Sequence, residues 1–380
     1  MLKEASDLIR DEDLTIAPYG VKSSYSGGRI YPEKEHIYRL PFQRDKDRIV
    51  HSRAFKRLEY KTQVFINSEG DNYRTRLTHT LEVAGISGTI ATSLGLNIHL
   101  SECIALAHDL GHTPFGHAGQ DILSELMKPY GGFEHNKQSL RIVQKLENRY
   151  PNFPGLNLTI KTLQGIMKHG GDYELSDVNL DRNEEGPSLE SLVTDYADEI
   201  AYNSHDIEDG IEKNLISLSS LNSLDIWKRN FSTAQSSSKS KDEILIVRGC
   251  IRQILNEMTT DLLLETEKRI QKYKIFSTAD LTRSWKAKEK IVSYSKNMQS
   301  DVIALKKFLL ENLYKHAEVL KMTRKGQNII EKLFFYYSKF PEKMPKSYLD
   351  KISEEGTHRI VSDYIAGMTD RYAESVFDNL

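Results

Sequence analysis

The stretch Ala107-His108-Asp109-Leu110-Gly111-His112-Thr113-Pro114-Phe115-Gly116-His117 ends an apolar run in a Gly/Pro turn that sets an imidazole beside a carboxylate. Such a pair restricts the fold, because its buried polar atoms must be met by partners supplied from elsewhere in the chain. A divalent cation is one such partner, since a histidine nitrogen and an aspartate oxygen can share it. His79 upstream and Asp206 downstream offer a second imidazole and a second carboxylate. His79, His108, Asp109 and Asp206 come from three distant stretches, and only packed helices bring such stretches to one ion. Taken singly, each reads as readily as a core or capping histidine or a surface acid. Taken jointly, they point to a metal. Magnesium, manganese, iron, nickel and zinc all suit this donor set.

Ten prolines in 380 residues, with apolar residues recurring three and four apart, predict an all-α chain. The spacing predicts helices over Asp47–Val64, His79–Leu94, Glu102–Leu110 with Ser101 as its cap, Gln120–Met127 and Glu134–Asn148. A longer helix over Ser188–Leu215 carries the stripe Leu189, Val193, Tyr196, Ile200 and Ile207, with Asp206 at its flank. Glu243–Lys274, Asp301–His316 and Asn328–Phe340 complete the set. Ser23–Gly28 reads as a mobile turn, Gly170–Pro187 as a polar loop, and Ser232–Ser240 as a solvated insertion or hinge. The expected organisation is an irregular arm over 1–45, a core with nearly all the chemistry over 46–220, and a helical region over 221–380 that packs on it or forms an oligomer surface.

Charge is nearly balanced, with 52 basic and 54 acidic residues, so neither nucleic acid nor an anionic membrane is the expected main partner. Two cysteines allow no disulfide framework and no four-cysteine zinc site, and fit a reducing cytoplasm. The N-terminal residues lack an apolar secretory core, and no apolar run reaches spanning length, so the expectation is a soluble protein without membrane contact. The basic stretch Arg48–Lys61 reads mostly as a solvated face, with Arg53 alone placed toward the inner side as a substrate contact.

Beyond these patterns, Pro41–Ile49, Lys61–Phe65, Tyr73–Val83, His108–His117, Gly132–Asn136, Asp206–Asp209 and Asp363–Tyr372 resemble the signatures of deoxyguanosinetriphosphate triphosphohydrolase-like proteins of the HD-domain superfamily. The resemblance covers most of the chain. It implies an all-α HD-domain fold with a helical C-terminal extension, and metal-dependent cleavage of a dNTP, dGTP foremost, into deoxynucleoside and inorganic triphosphate. It implies one divalent ion on His79, His108, Asp109 and Asp206, a phosphate contact at Arg76 and a deoxyribose contact at Gln63. His117 and His135 match active-site histidines near the phosphates. Such proteins are commonly homo-oligomers, often hexamers, and some respond to a nucleotide or single-stranded DNA effector.

His117 is the candidate general acid, because a histidine can hold a proton near neutrality and still release it. His135 is the alternative proton source. The family usually carries an acid three residues after this histidine, where this chain has Gln120. An amide orients an imidazolium but stabilises its charge less than a carboxylate does, so the expectation is slower turnover or a lower pH optimum. Two rival readings stay open. One is an HD nucleotidase or phosphodiesterase acting on monophosphates or cyclic dinucleotides; the other is a nucleotide-binding regulatory oligomer with weakened catalysis.

Overall fold

The computed structural model describes residues 2–63, 74–168 and 186–380. The end of the helix expected to reach Val64, and all but the end of the polar loop over 170–187, lie outside them. Among the described residues the chain forms helices and isolated bridges but no β-strand. The fold is all-α.

The helices in chain order are α1 (Ala5–Thr15), α2 (Pro41–Val50), α3 (Arg53–Arg57), α4 (Arg76–Ser93), α5 (Ile98–Ala107), α6 (Gly116–Met127), α7 (His135–Arg141) and α8 (Ile160–Lys168). Then come α9 (Leu189–Glu212), α10 (Leu218–Leu221), α11 (Asp225–Ser237), α12 (Glu243–Lys272), α13 (Thr278–Lys286) and α14 (Lys296–Leu309). The last five are α15 (Ala317–Lys339), α16 (Lys346–Leu349), α17 (Ile352–Glu355), α18 (Thr357–Ala366) and α19 (Asp370–Phe377). They belong to two compact units, each interleaved along the chain.

The first unit draws on segments 1–25, 82–102 and 174–319. Its axis is α9, begun by Ser188, whose side chain accepts from the Ser191 amide. Val193, Ala197, Ile200, Ala201 and Ile207 are fully buried along it, and each such Ile contributes roughly 1.5–3 kcal/mol over an exposed one. Buried Glu190 in its first turn accepts from the amides of Val21 (2.8 Å) and Asn97 (3.0 Å), fixing two loops to α9. Ser87 and Thr194 share a hydrogen bond of 2.9 Å that joins α4 to α9.

The second unit draws on segments 26–81, 103–173 and 320–380. Leu123, Met127, Ile330, Leu333, Ile360 and Ile365 centre an apolar core made by α6, α15 and α18. Asp45 on α2 is fully buried and takes Arg29 at 2.6 Å together with the Thr159 amide at 2.8 Å. Arg48, also on α2, donates to the carbonyls of Leu156 and Asn157.

Several expectations change. The helix expected over Asp47–Val64 breaks at His51, because the Ser52 side chain accepts from the Phe55 amide and starts α3. The helix expected from Glu102 starts at Ile98, capped by Asn97 rather than Ser101, through a 3.1 Å bond from the Leu100 amide to Asn97 Oδ1. The expected mobile turn at Ser23–Gly28 is docked: the carbonyls of Ser26 and Gly28 accept from the amides of Lys161 and Ile160. Ser232–Ser237 of the expected hinge is helical, because Trp227, Asn230 and Ala234 keep one buried face at helical spacing. The arm over 1–45 contains α1, which buries none of its side chains.

Candidate active site

The first turn of α4 is locked by a reciprocal pair: Thr75 Oγ1 accepts from the Thr78 amide and Thr78 Oγ1 from the Thr75 amide. This places Arg76 and His79 one turn apart, on neighbouring positions of one face. Both are 1% exposed.

After α5 the chain turns through His108 to His112. Ser139 of α7 holds that turn, accepting from the Gly111 amide (2.8 Å) and donating to the His108 carbonyl (2.9 Å). Gly111 is required here, because a Cβ would lie 2.1 Å from the His135 carbonyl oxygen. The His79 and His108 ring centres are 5.6 Å apart at an interplanar angle of 64°.

His108 Nδ1 lies 2.5 Å from the Ala105 carbonyl, which can only accept, so Nδ1 carries the hydrogen. In the neutral ring Nε2 then bears the lone pair, and it faces Asp109 Oδ1 at 3.3 Å. Two acceptors this close are held together by a positive charge, either the ring's own second proton or a metal ion. The donor set therefore fits a metal ion, and the bond from Nδ1 is the usual support of a metal-binding histidine.

Asp109 accepts from Arg76 Nη1 on Oδ2 at 3.0 Å, and its Oδ1 lies 2.9 Å from His112 Nδ1. Burial opposes its ionisation, but His108, His112 and Arg76 outweigh that and hold the carboxyl well below the usual range. Arg76 spends only part of its guanidinium on Asp109. Its Nε and Nη2 are buried with no acceptor among the described residues, and Gln63 Oε1 is buried with no donor among them. Two unspent, charge-carrying donors on one planar group match a phosphate.

Three histidines line up next to this pair. The His112 and His135 rings are 4.0 Å apart, and the His112 and His117 rings 6.0 Å apart. Burial, then the Arg76 and His135 charges, push His112 well below its ordinary range. His135 is pushed down to about 4, chiefly by burial. Both are neutral at pH 7. His117, the second residue of α6, is exposed. Gln120, one turn further along α6, is half-buried with its Oε1 unbonded among the described residues.

Asp206 lies on α9 in the first unit, 1% exposed, and its Oδ2 accepts from the Tyr314 hydroxyl. Tyr314 ends a π-helical segment, Leu310–Tyr314. Burial, with the Asp206 charge adding to it, raises the phenol, so Tyr314 stays a neutral donor. The preceding His205 pairs its Nε2 with the Glu82 carboxylate of α4.

The second unit thus brings together Arg76, His79, His108, Asp109, His112 and the neighbouring His117 and His135. Arg53 is exposed at the start of α3, contrary to the inward placement expected of it. The buried cations of that basic stretch are Arg48 (5% exposed) and Lys61 (2%), both expected to be solvated. Lys61 and Tyr314 carried no local signal, because their partners are far away in sequence.

Residues 76–203 match the HD domain family, and residues 292–379 the phosphohydrolase-associated domain family. A deoxyguanosinetriphosphate triphosphohydrolase-like protein of Leptospira interrogans serogroup Icterohaemorrhagiae serovar copenhageni is 55% identical over 374 residues, covering 98% of both chains. The chain belongs to that family. Relatives of the same description from Azoarcus sp. (47% identical, 94% of both chains) and Geobacter sulfurreducens (43%, 97% of this chain and 96% of the relative) agree. As a member with an HD domain, the protein is a metal-dependent phosphohydrolase. No described helix is long and apolar enough to cross a membrane.

Proposed function

We propose that the protein hydrolyses a deoxynucleoside triphosphate, dGTP foremost, to deoxynucleoside and inorganic triphosphate. The observation that carries this reading is Arg76, anchored on Asp109 through one donor with two more buried and unspent. Burying a guanidinium that way is costly unless an anion completes it. The relatives, deoxyguanosinetriphosphate triphosphohydrolase-like proteins, supply the substrate class.

In this reading His79, His108, Asp109 and Asp206 hold the ion, drawn from magnesium, manganese, iron, nickel and zinc. When bound, a divalent ion there neutralises phosphate charge and acidifies a water molecule. Arg76 grips the phosphate chain with its paired N–H groups and holds it in line for attack. Neutral His112 spends its single N–H on Asp109 Oδ1, which leaves neutral His135 to donate a hydrogen bond to a phosphate oxygen. Gln63 Oε1 accepts from a sugar hydroxyl. Water adds at the α-phosphorus as the bond to the 5′-oxygen breaks, and His117 protonates the departing oxygen. The neutrality of His135 supports giving that role to His117. A homo-oligomer in the cytoplasm, with a nucleotide or single-stranded DNA effector, completes the proposal; Cys103 and Cys250, both buried as thiols, suit a reducing compartment.

The test is a product assay on each of the four dNTPs with magnesium, manganese or cobalt. Inorganic triphosphate with the free deoxynucleoside is expected. Orthophosphate from deoxynucleoside monophosphates, or a linear product from cyclic dinucleotides, with no triphosphate from any dNTP, would replace this reading with the nucleotidase or phosphodiesterase one.

Gln120→Glu provides a second check. A carboxylate one turn from His117 favours the imidazolium, and a general acid loses activity as pH rises through its own titration. The alkaline limb of the pH–rate profile is therefore expected to move up by about one unit. An unchanged limb removes Gln120 from the acid's environment.

A further inference from the structure

Three stretches far apart in sequence meet beside the histidine turn in the second unit. Lys61 is buried and donates to two carbonyls, those of His112 (2.5 Å) and Ala366 (2.8 Å). Asp370, 4% exposed, accepts on Oδ1 from the Phe115 amide (3.0 Å) and on Oδ2 from the Thr62 amide (2.9 Å) and the Thr62 hydroxyl. Arg57 adds a bond to the Gly367 carbonyl at 2.8 Å. The segment between α18 and α19 is thereby tied to both ends of the turn from His112 to Phe115, and to the stretch that ends in Gln63.

The point of attachment is revealing. Phe115 has φ of 61°, in the left-handed region that a phenylalanine avoids, and the next residue, Gly116, has φ of 56°. Such a conformation persists only where its surroundings over-determine it. Here the Phe115 amide is held by Asp370, and the Phe115 side chain packs into α15 at Gly326, where a Cβ would come within 2.7 Å of Phe115 Cβ. The backbone kink at Phe115–Gly116 is what starts α6 and sets His117, its second residue. His112, at the other end of the turn, is fixed through its carbonyl by Lys61.

We propose that Asp370 and Lys61 are positioning residues, a buckle by which the segment 366–370 holds the His112–His117 turn in working geometry. The inference rests on the reading that this turn serves catalysis. It makes the phosphohydrolase-associated region a supplier of active-site geometry rather than only a packing partner. Neither residue touches substrate. Both act through the backbone of the turn.

The test compares full-length Asp370→Ala, Asp370→Asn and Lys61→Met with Ile360→Ala, a core truncation that destabilises α18 without touching the turn. Amide hydrogen exchange at residues 115–119, melting temperature, and kcat and KM for dGTP with manganese are measured. Asp370→Ala is expected to lower kcat about twentyfold with KM nearly unchanged, since small misplacements of a catalytic group cost rate before they cost binding. Exchange at Phe115 should quicken, and Asp370→Asn, which keeps an acceptor for that amide, should recover most of the loss. Lys61→Met should lower kcat in the same sense. Ile360→Ala should melt earlier yet keep kcat per folded molecule.

Unchanged exchange at Phe115 in Asp370→Ala, or an equal fall in kcat for Ile360→Ala at equal loss of melting temperature, overturns the buckle. Should the wild type release no triphosphate, the proposed function fails by itself, and the exchange measurement, which needs no substrate, still decides whether the tether exists.

Discussion

His108→Ala is expected to lower kcat/KM by about a thousandfold or more, because in the proposed site the variant loses an ion ligand rather than a packing contact. The reason lies in the tautomer. The Ala105 carbonyl holds the Nδ1 hydrogen, which leaves Nε2 as a lone pair directed at Asp109 Oδ1. Removing the ring deletes that donor in the loaded protein, and in the metal-free protein it removes a buried side chain and its bond to the Ala105 carbonyl. Melting with and without manganese separates the two effects. A ligand that binds only the native state raises its stability by mass action. The variant should lose most of the manganese-dependent rise in melting temperature, measured from its own metal-free melting temperature. Retention of that rise, or of wild-type turnover, would remove His108 from the ion site.

Arg76→Lys is expected to cost about a hundredfold in kcat/KM although charge is conserved, since an ammonium cannot supply two parallel donors from one plane. Among the described residues Nη1 serves Asp109 while Nε and Nη2 have no acceptor, and the proposed site gives them an anion. A lysine must choose between the buried Asp109 carboxylate and the phosphate chain. The deficit should therefore appear in ground-state binding as well as in turnover. The inhibition constant of inorganic triphosphate is expected to rise alongside KM. A variant that binds triphosphate as tightly as the wild type would mean that the unspent donors face something other than phosphate.

The burial of the His108-Asp109 pair was legible because the two residues adjoin in sequence and end an apolar run, so a short window contains the anomaly. The long helix was legible for a similar reason: Ser188 caps it and its apolar stripe repeats every three or four residues over its length. The basic stretch was misread for the opposite reason. Nothing near Lys61 reveals that carbonyls at 112 and 366 will meet its ammonium, or that burial brings its titration down to about 7. Arg48 is the same case, buried because the carbonyls of Leu156 and Asn157 converge on it. A charge run looks solvated unless its distant acceptors are known. Tyr314 was missed because its only distinguishing mark, the wider π-helical turn that precedes it, is a property of the backbone.

The interleaving of the two units has a consequence for biogenesis. The second unit contains both segment 26–81 and segment 320–380. A nascent chain growing from its N-terminus therefore exposes the histidine turn long before Asp370 has been polymerised. Until the stretch around residue 370 leaves the ribosome, the kink at Phe115 lacks the carboxylate that holds its amide. Competence is thus acquired late, and a message cut short before codon 370 would yield a polypeptide with every proposed ligand in its sequence and no finished geometry around them.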